Sequence, residues 1–424
     1  MKKFYLLAAA SLYAMTSFSQ ETVKFITTVD SINIYNILEE NAPGNPNIKD
    51  VPTFTLVGKD SKFYMGMGAN VKLVGDFDWG SPLSNPNIFA PKDIPMDTEK
   101  GDRSQTLFSA GQSNIYWNMV ALPGSKNQVG LFFDVILLGS TSKPEIAIHH
   151  AYLKYRGFTA GYVVSTFTDL KAEPASIDFG GPASVALVRH PNISYNVKFG
   201  KDKMWSAQLG LDMPAADEKS FTAANQTSYV NQRMPDIPLF LQRSWADGKG
   251  WLRASAIFRD LQYKNNMSNL KGTMGWGVKL SGKTPICGGL SANYQAVYGE
   301  GISSYIQDMS GLGQDLVPEV KDGKVVTGSL KAVPAWGAYG SLRYDFCKKV
   351  FMDVTYSHVR AYAKNFGSEW GSMYKYGQYA TGNLFVNINR HMQCGVEYLW
   401  GRRMNYNHQQ NHDNRIMLML NLSI

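Results

Sequence analysis

Cysteine is scarce in this 424-residue chain: there are three, which cannot all pair internally, so a disulfide framework is excluded. Cys287 and Cys347 fall at expected short turns and Cys394 on an apolar strand face, leaving either a Cys287–Cys347 bridge or three small inert thiols. Long apolar runs are also missing. Beyond residue 19 nothing approaches the ~20 residues of a membrane-crossing helix, which rules out an α-helical membrane protein. No Gly-x-Ser-x-Gly elbow and no glycine-rich phosphate loop after a strand is found. Common signatures of hydrolases and nucleotide enzymes are therefore absent, although a triad dispersed along the chain is set by geometry and stays open. Neither a cofactor, a metal nor a nucleic-acid partner is expected.

What is present begins with two lysines, Lys2 and Lys3, ahead of a short apolar run, and with small residues at Ser17 and Ser19 before Gln20. Residues 1–19 read as a cleavable export signal. Residues 20–61 read as a separate segment with a short helix within 29–41 and a Pro/Asn/Gly-rich linker at 42–51, on the periplasmic side or at the mouth of the lumen.

From residue 62 to 424 strand-like stretches are joined by connections that alternate in length. Those at 78–103, 168–183, 214–235, 299–333 and 364–376 are long. Those at 123–127, 156–157, 200–203, 247–250, 283–288, 347–349 and 390–391 are short, and 265–271 and 405–412 are intermediate. Only 139–142 is short where a long one is due. One rim of tight turns and one rim of long loops is the signature of a transmembrane antiparallel β-barrel, with short periplasmic turns and long extracellular loops.

The faces agree. Ile416, Leu418, Leu420, Leu422 and Ile424 oppose Arg415, Asn421 and Ser423, and Met274, Trp276, Val278 and Leu280 oppose Thr273, Lys279 and Ser281. The expected count is about sixteen strands, an even number that returns the C-terminus to the rim of the first strand. A ring of that size is wide enough to leave an aqueous channel.

Arg253, Ser255, Ile257 and Arg259 share one strand face; Leu252, Ala254, Ala256 and Phe258 share the other. An arginine at the bilayer midplane costs ~2–4 kcal/mol, so both should enter the lumen. There they either guide anions, as guanidinium groups grip carboxylates, or balance Asp169 and Asp178 and hold a folded-in loop down. In the first case, Arg253→Ala with Arg259→Ala should shift reversal potential toward cations. Glu397 and Arg403 share a face by parity, as do Arg343 and Asp345, and are expected in ion pairs. His149 and His150 should fall on opposite faces, with His150 in the lumen. His408, His412 and Asp413 lie in a loop where helical spacing has no meaning and are not read as a metal site.

Several stretches resemble the DcaP-like porins of Gram-negative outer membranes: GYVVSTFTDLKAEPASIDFGGP (161–182), RHP (189–191), RASAIFRDL (253–261), GEGISSYI (299–306) and GVEYLWGRR (395–403). The resemblance implies a homotrimeric, sixteen-stranded porin surrounded by outer-membrane lipid and favouring small anionic solutes of the dicarboxylate class. It also implies an inward loop at 168–183 with Asp169, Asp178, Phe179, Gly180, Gly181 and Pro182. Wall residues Arg189, Arg253, Arg259, Glu397 and Arg403 would complete the constriction. Two features depart from the family pattern: only residues 29–41 stand where a longer coiled coil is usual, and the last residue is Ile424 rather than an aromatic. The expected function is passive diffusion of small anions, without catalysis. An outer-membrane barrel enzyme acting on lipid or peptide and a secreted β-sandwich module are the competing readings.

Overall fold

The computed structural model describes residues 31–44, 47, 54–96, 103–140, 143–214, 216, 227–363 and 371–424; the expected export signal at 1–19 lies outside the described residues. Sixteen antiparallel strands form a closed barrel. They are β1 (Phe63–Gly80), β2 (Arg103–Ser109 continued by Asn114–Ala121), β3 (Val129–Ser140), β4 (Lys143–Tyr155), β5 (Phe158–Val164), β6 (Arg189–Phe199), β7 (Trp205–Asp212) and β8 (Ile237–Trp245). The second half comprises β9 (Gly250–Lys264), β10 (Leu270–Cys287), β11 (Leu290–Glu300), β12 (Pro334–Asp345), β13 (Val350–Ala361), β14 (Tyr374–Asn387), β15 (Met392–Asn405) and β16 (Gln410–Ser423).

Each strand pairs with its sequence neighbour, and β16 closes on β1 in a register running from Asn70↔Ser423 to Trp79↔Asn414. Closure leaves no unpaired edge, as a hydrocarbon setting requires. The even count brings the chain end back to the turn rim, where Ile424 exchanges backbone hydrogen bonds with Ala69. The expected short exception is confirmed: β3 and β4 are separated only by residues 141–142.

Period-two patterning sorts the two surfaces. Val71, Leu73, Leu418 and Ile146 point outward at 57%, 51%, 59% and 64% exposure, while Lys72, Asp76 and Arg415 between them are buried inside. Aromatic pairs flank this apolar belt at both ends: Phe158 on Tyr195 and Tyr344 on Phe346 by the turns, Trp276 on Tyr298 and Trp79 on Tyr398 by the loops. Amphipathic rings at two levels mark the two membrane–water interfaces.

The interior differs from the expected open ring. Besides the connection between β5 and β6 (L3), the connections after β1 (L1) and after β11 (L6) fold inward. Leu83, Phe89 and Ile94 of L1, Phe167 and Ile177 of L3, and Ile302, Ile306 and Met309 of L6 share one buried cluster with wall residues Ile257, Val359 and Leu399. Loop apolar residues without strand periodicity bury themselves against the inner wall, so ring width overstates the open cross-section.

Helix α1 (Ser31–Asn41) also lies inside, against β2–β4 at the turn rim. Ile34 and Leu38 join Tyr116, Val120, Phe132 and Tyr152. Asn41 Nδ2 donates to Asn118 Oδ1 (2.7 Å) and Leu131 O (3.1 Å), and Tyr152 OH donates to Asn41 O (2.7 Å). Gly130 makes this seat, because a Cβ there would fall 2.0 Å from Asn41 Oδ1. Gly130→Val is therefore expected to expel α1, seen as protease cleavage within 31–44 in a barrel that stays folded. Unchanged protection would remove the role assigned to Gly130.

One facing assignment is corrected. His149 and His150 do not fall on opposite sides: the register shifts between Asp134↔His150 and Val135↔Ile148, and the extra residue turns both rings into the lumen. Parity holds only in an unbroken strand.

Candidate functional site: a constriction built by L3

L3 crosses the lumen with nearly every residue from Ser165 to Ala186 buried, and the wall supplies its anchors. Glu397 on β15 is fully buried and accepts from Ser176 Oγ (2.7 Å), Ile177 N (2.7 Å) and Asn383 Nδ2 (3.1 Å). Asp178 accepts from Phe89 N (2.9 Å), Gly180 N (3.0 Å) and Tyr379 OH (3.1 Å), tying L3 to both L1 and β14. Asp169 accepts from Ser281 Oγ (2.7 Å) and Trp251 Nε1 (3.1 Å), with Arg253 Nη1 at 3.5 Å. Arg253 also donates to Thr168 O (3.0 Å) and Gln242 Oε1 (2.9 Å).

The basic wall residues divide by task. Arg259 is 3% exposed and bridges Asp236 and Asp315, both at 3.0 Å, while also donating to Ser304 Oγ (3.1 Å); it clamps L6. Arg403 donates to Lys92 O and to Ile94 O (3.3 Å), holding L1. Arg403 and Glu397 therefore serve different loops instead of pairing, whereas Arg343 and Asp345 do pair at 2.8 Å. Arg189 stands apart: it is half-buried and makes no ion pair among the described residues, its one hydrogen bond running from Nε to His150 Nε2 at 3.4 Å.

Sequence reading assigned no pore role to three further groups on this wall. Lys72 opens with Arg390 onto a cavity of about 270 Å³ beneath L3 at the turn rim. Lys279 Nζ is buried beside Phe167 without a hydrogen-bond partner among the described residues. Lys283 is half-buried and forms no ion pair among the described residues. Their alternation signal was legible, since each sits on the inward parity of β1 or β10. Nothing in the sequence said that they, unlike Arg253 and Arg259, would lack a carboxylate.

Burial raises three of the loop carboxyls, whereas at Asp169 the charges of Arg253 and Lys279 and the bonds from Ser281 and Trp251 outweigh burial and hold the carboxyl down. Asp178 and Asp308 are each pushed up to about 7 and Glu173 to about 8, with Arg189 opposing the rise at Glu173. An acid whose docked value exceeds its free value binds more protons in the docked state. Loop docking is then strongest below the free carboxylate range and weakens as pH climbs through 7 to 8. Single-channel current and its flicker are expected to grow between pH 5 and 8.5; a current that fell over that range would contradict this.

Neither a protein-family model nor a curated protein sequence matches the chain. Solved structures do. The outer membrane channel DcaP of Acinetobacter baumannii superposes with a TM-score of 0.71 at 19% identity, covering 88% of this chain and 100% of that one. The fold is that of a DcaP-like porin. An anion-selective porin from Comamonas acidovorans gives a TM-score of 0.52 at 10% identity, covering 85% of this chain and 100% of its own. OmpT, an outer membrane protein of Vibrio cholerae, gives 0.52 at 10% identity over 86% of this chain and 99% of its own. The porin likeness read from the sequence thus stands at the level of architecture.

Proposed function

We propose that this protein is a porin of the Gram-negative outer membrane, admitting small hydrophilic solutes by passive diffusion with a preference for anions. The observation that supports it is a closed barrel with an apolar outer belt, whose lumen is narrowed by L3 and carries cationic groups that form no close ion pair among the described residues. Arg189, Lys72 and Lys283 are those groups. Cations facing a narrow, low-dielectric passage raise the local concentration of anions, and two or more spaced along the path suit a dicarboxylate. The paired arginines Arg253 and Arg259 belong to loop anchoring in this reading, so selectivity rests on the unpaired set. The protein works without catalysis or cofactor, since diffusion breaks no bond. A homotrimer is part of the proposal, its contacts drawn from the same apolar outer wall that meets lipid.

The test is reversal potential in a planar bilayer under a potassium chloride gradient. Arg189→Ala, Lys72→Ala and Lys283→Ala combined are expected to move it toward cations with conductance retained. A wild-type protein that forms no channel would remove the porin reading; an unchanged ratio in the triple variant would remove the anion preference.

A further inference from the structure

The register break between β3 and β4 assembles a cluster outside the set of loop anchors described above. Asp134 lies between the two imidazoles that the bulge turns inward, with Oδ2 2.8 Å from His149 Nδ1 and Oδ1 3.0 Å from His150 Nδ1. The ring centroids are 4.3 Å apart, and one donor atom from each residue lies within 4.8 Å of the others. All three side chains are buried. Phe179 of L3 packs on His149 at 5.9 Å, and Tyr152 stands edge-on to His150 at 6.2 Å. A carboxylate only accepts, so without an ion each ring holds its proton on Nδ1. That leaves His149 Nε2 as a buried acceptor without a hydrogen-bond partner among the described residues.

We infer that Asp134, His149 and His150 form a binding site for one divalent cation of the copper, nickel and zinc class. Two imidazoles and a carboxylate are the donor set this class takes, whereas calcium and magnesium call for oxygen shells. Metal–nitrogen and metal–oxygen bonds of about 2.0–2.2 Å around a tetrahedral ion separate ligand atoms by roughly 3.3 Å. The existing 2.8 and 3.0 Å contacts need open only slightly to admit one. The ion takes the place of the two Nδ1 protons, which shift to the Nε2 atoms of the same rings, so a carboxylate and two neutral imidazoles face the dication.

The neighbouring charges bear on this. Arg189 is the nearby cation, and the proton that moves to His150 Nε2 ends its 3.4 Å contact there. Glu173 keeps a buried Oε1 without a hydrogen-bond partner among the described residues and interacts electrostatically with Arg189. It gives the displaced guanidinium a carboxyl oxygen to turn toward. Occupancy of the site thereby changes where a pore cation points.

Full-length purified protein, stripped with a chelator, is titrated with copper(II) alone. One ion per chain is expected, with an electron paramagnetic resonance spectrum showing two coordinated imidazole nitrogens. His149→Phe keeps a ring against Phe179, and Asp134→Asn keeps the carboxyl shape. Each should weaken binding at least about tenfold, while barrel migration on unheated gels shows that the fold persists. Replacing His408 and His412 at the loop rim with Gln should change nothing. No uptake by the wild type, uptake without nitrogen coupling, or uptake undiminished in both His149→Phe and Asp134→Asn overturns the site.

Discussion

Glu397→Ala is expected to release L3 from the wall and enlarge the channel. The carboxylate is 0% exposed and is the acceptor for Ser176 Oγ, Ile177 N and Asn383 Nδ2, with Asp178 N at 3.4 Å. Alanine leaves two backbone donors of L3 without an acceptor in a dry site. Hydrogen bonds to a charged acceptor contribute about 1.5–3 kcal/mol each. The loss of docking should therefore be on the order of 3 kcal/mol or more, enough to make an undocked loop a populated state. Single-channel conductance should rise and become noisy, and trypsin should cut at Lys171, an exposed residue of this loop. Wild-type conductance together with an intact Lys171 bond would show that L3 stays docked without the Glu397 anchor.

Arg415→Ala carries the second large effect, on the closure seam instead of the pore. Arg415 is 0% exposed, grips Asp78 through Nε (2.6 Å) and Nη2 (2.8 Å), and lies 3.3 Å from Asp76. It also donates to Asn85 O of L1 at 2.9 Å. Removing it strands two carboxylates inside the seam between β1 and β16. Breaking a buried pair from one side costs about 3–5 kcal/mol, whereas replacing both partners by apolar groups is often close to neutral. The temperature at which the barrel opens, read from gel migration, should fall markedly for Arg415→Ala. It should recover in part when Asp78→Asn is added. An unchanged opening temperature would mean that backbone pairing along the seam carries closure without this cluster.

The strands were legible because the bilayer imposes a strict code: outward positions must be apolar, and the code repeats every two residues. Leu252 and Phe258 against Arg253 and Arg259 illustrate it. The turn and loop rims followed from connection length, and the break at 139–142 was visible in the same way. Hidden from that code were the loops L1 and L6, since Phe89, Ile94, Ile302 and Ile306 obey no period. Hidden too was the histidine pair, because a one-residue bulge cancels parity where it occurs.

The candidate site was read less completely. Asp169, Asp178, Arg253 and Glu397 do meet around L3, but as its anchors. Arg259 and Arg403 face the lumen as their parity requires, yet hold other loops. Whether a lumen arginine stays bare or finds Asp236 and Asp315 depends on residues far away along the chain, which no local pattern encodes.

The amino-acid order by itself determined the surface chemistry of each strand, the even count and the rim to which each connection belongs, because these follow from side-chain alternation and chain length. Tertiary structure alone decided which charges are neutralised, how much of the ring is filled and where α1 rests. Those outcomes depend on distances between segments brought together by closure, and they decide whether a charged side chain faces water or another charge.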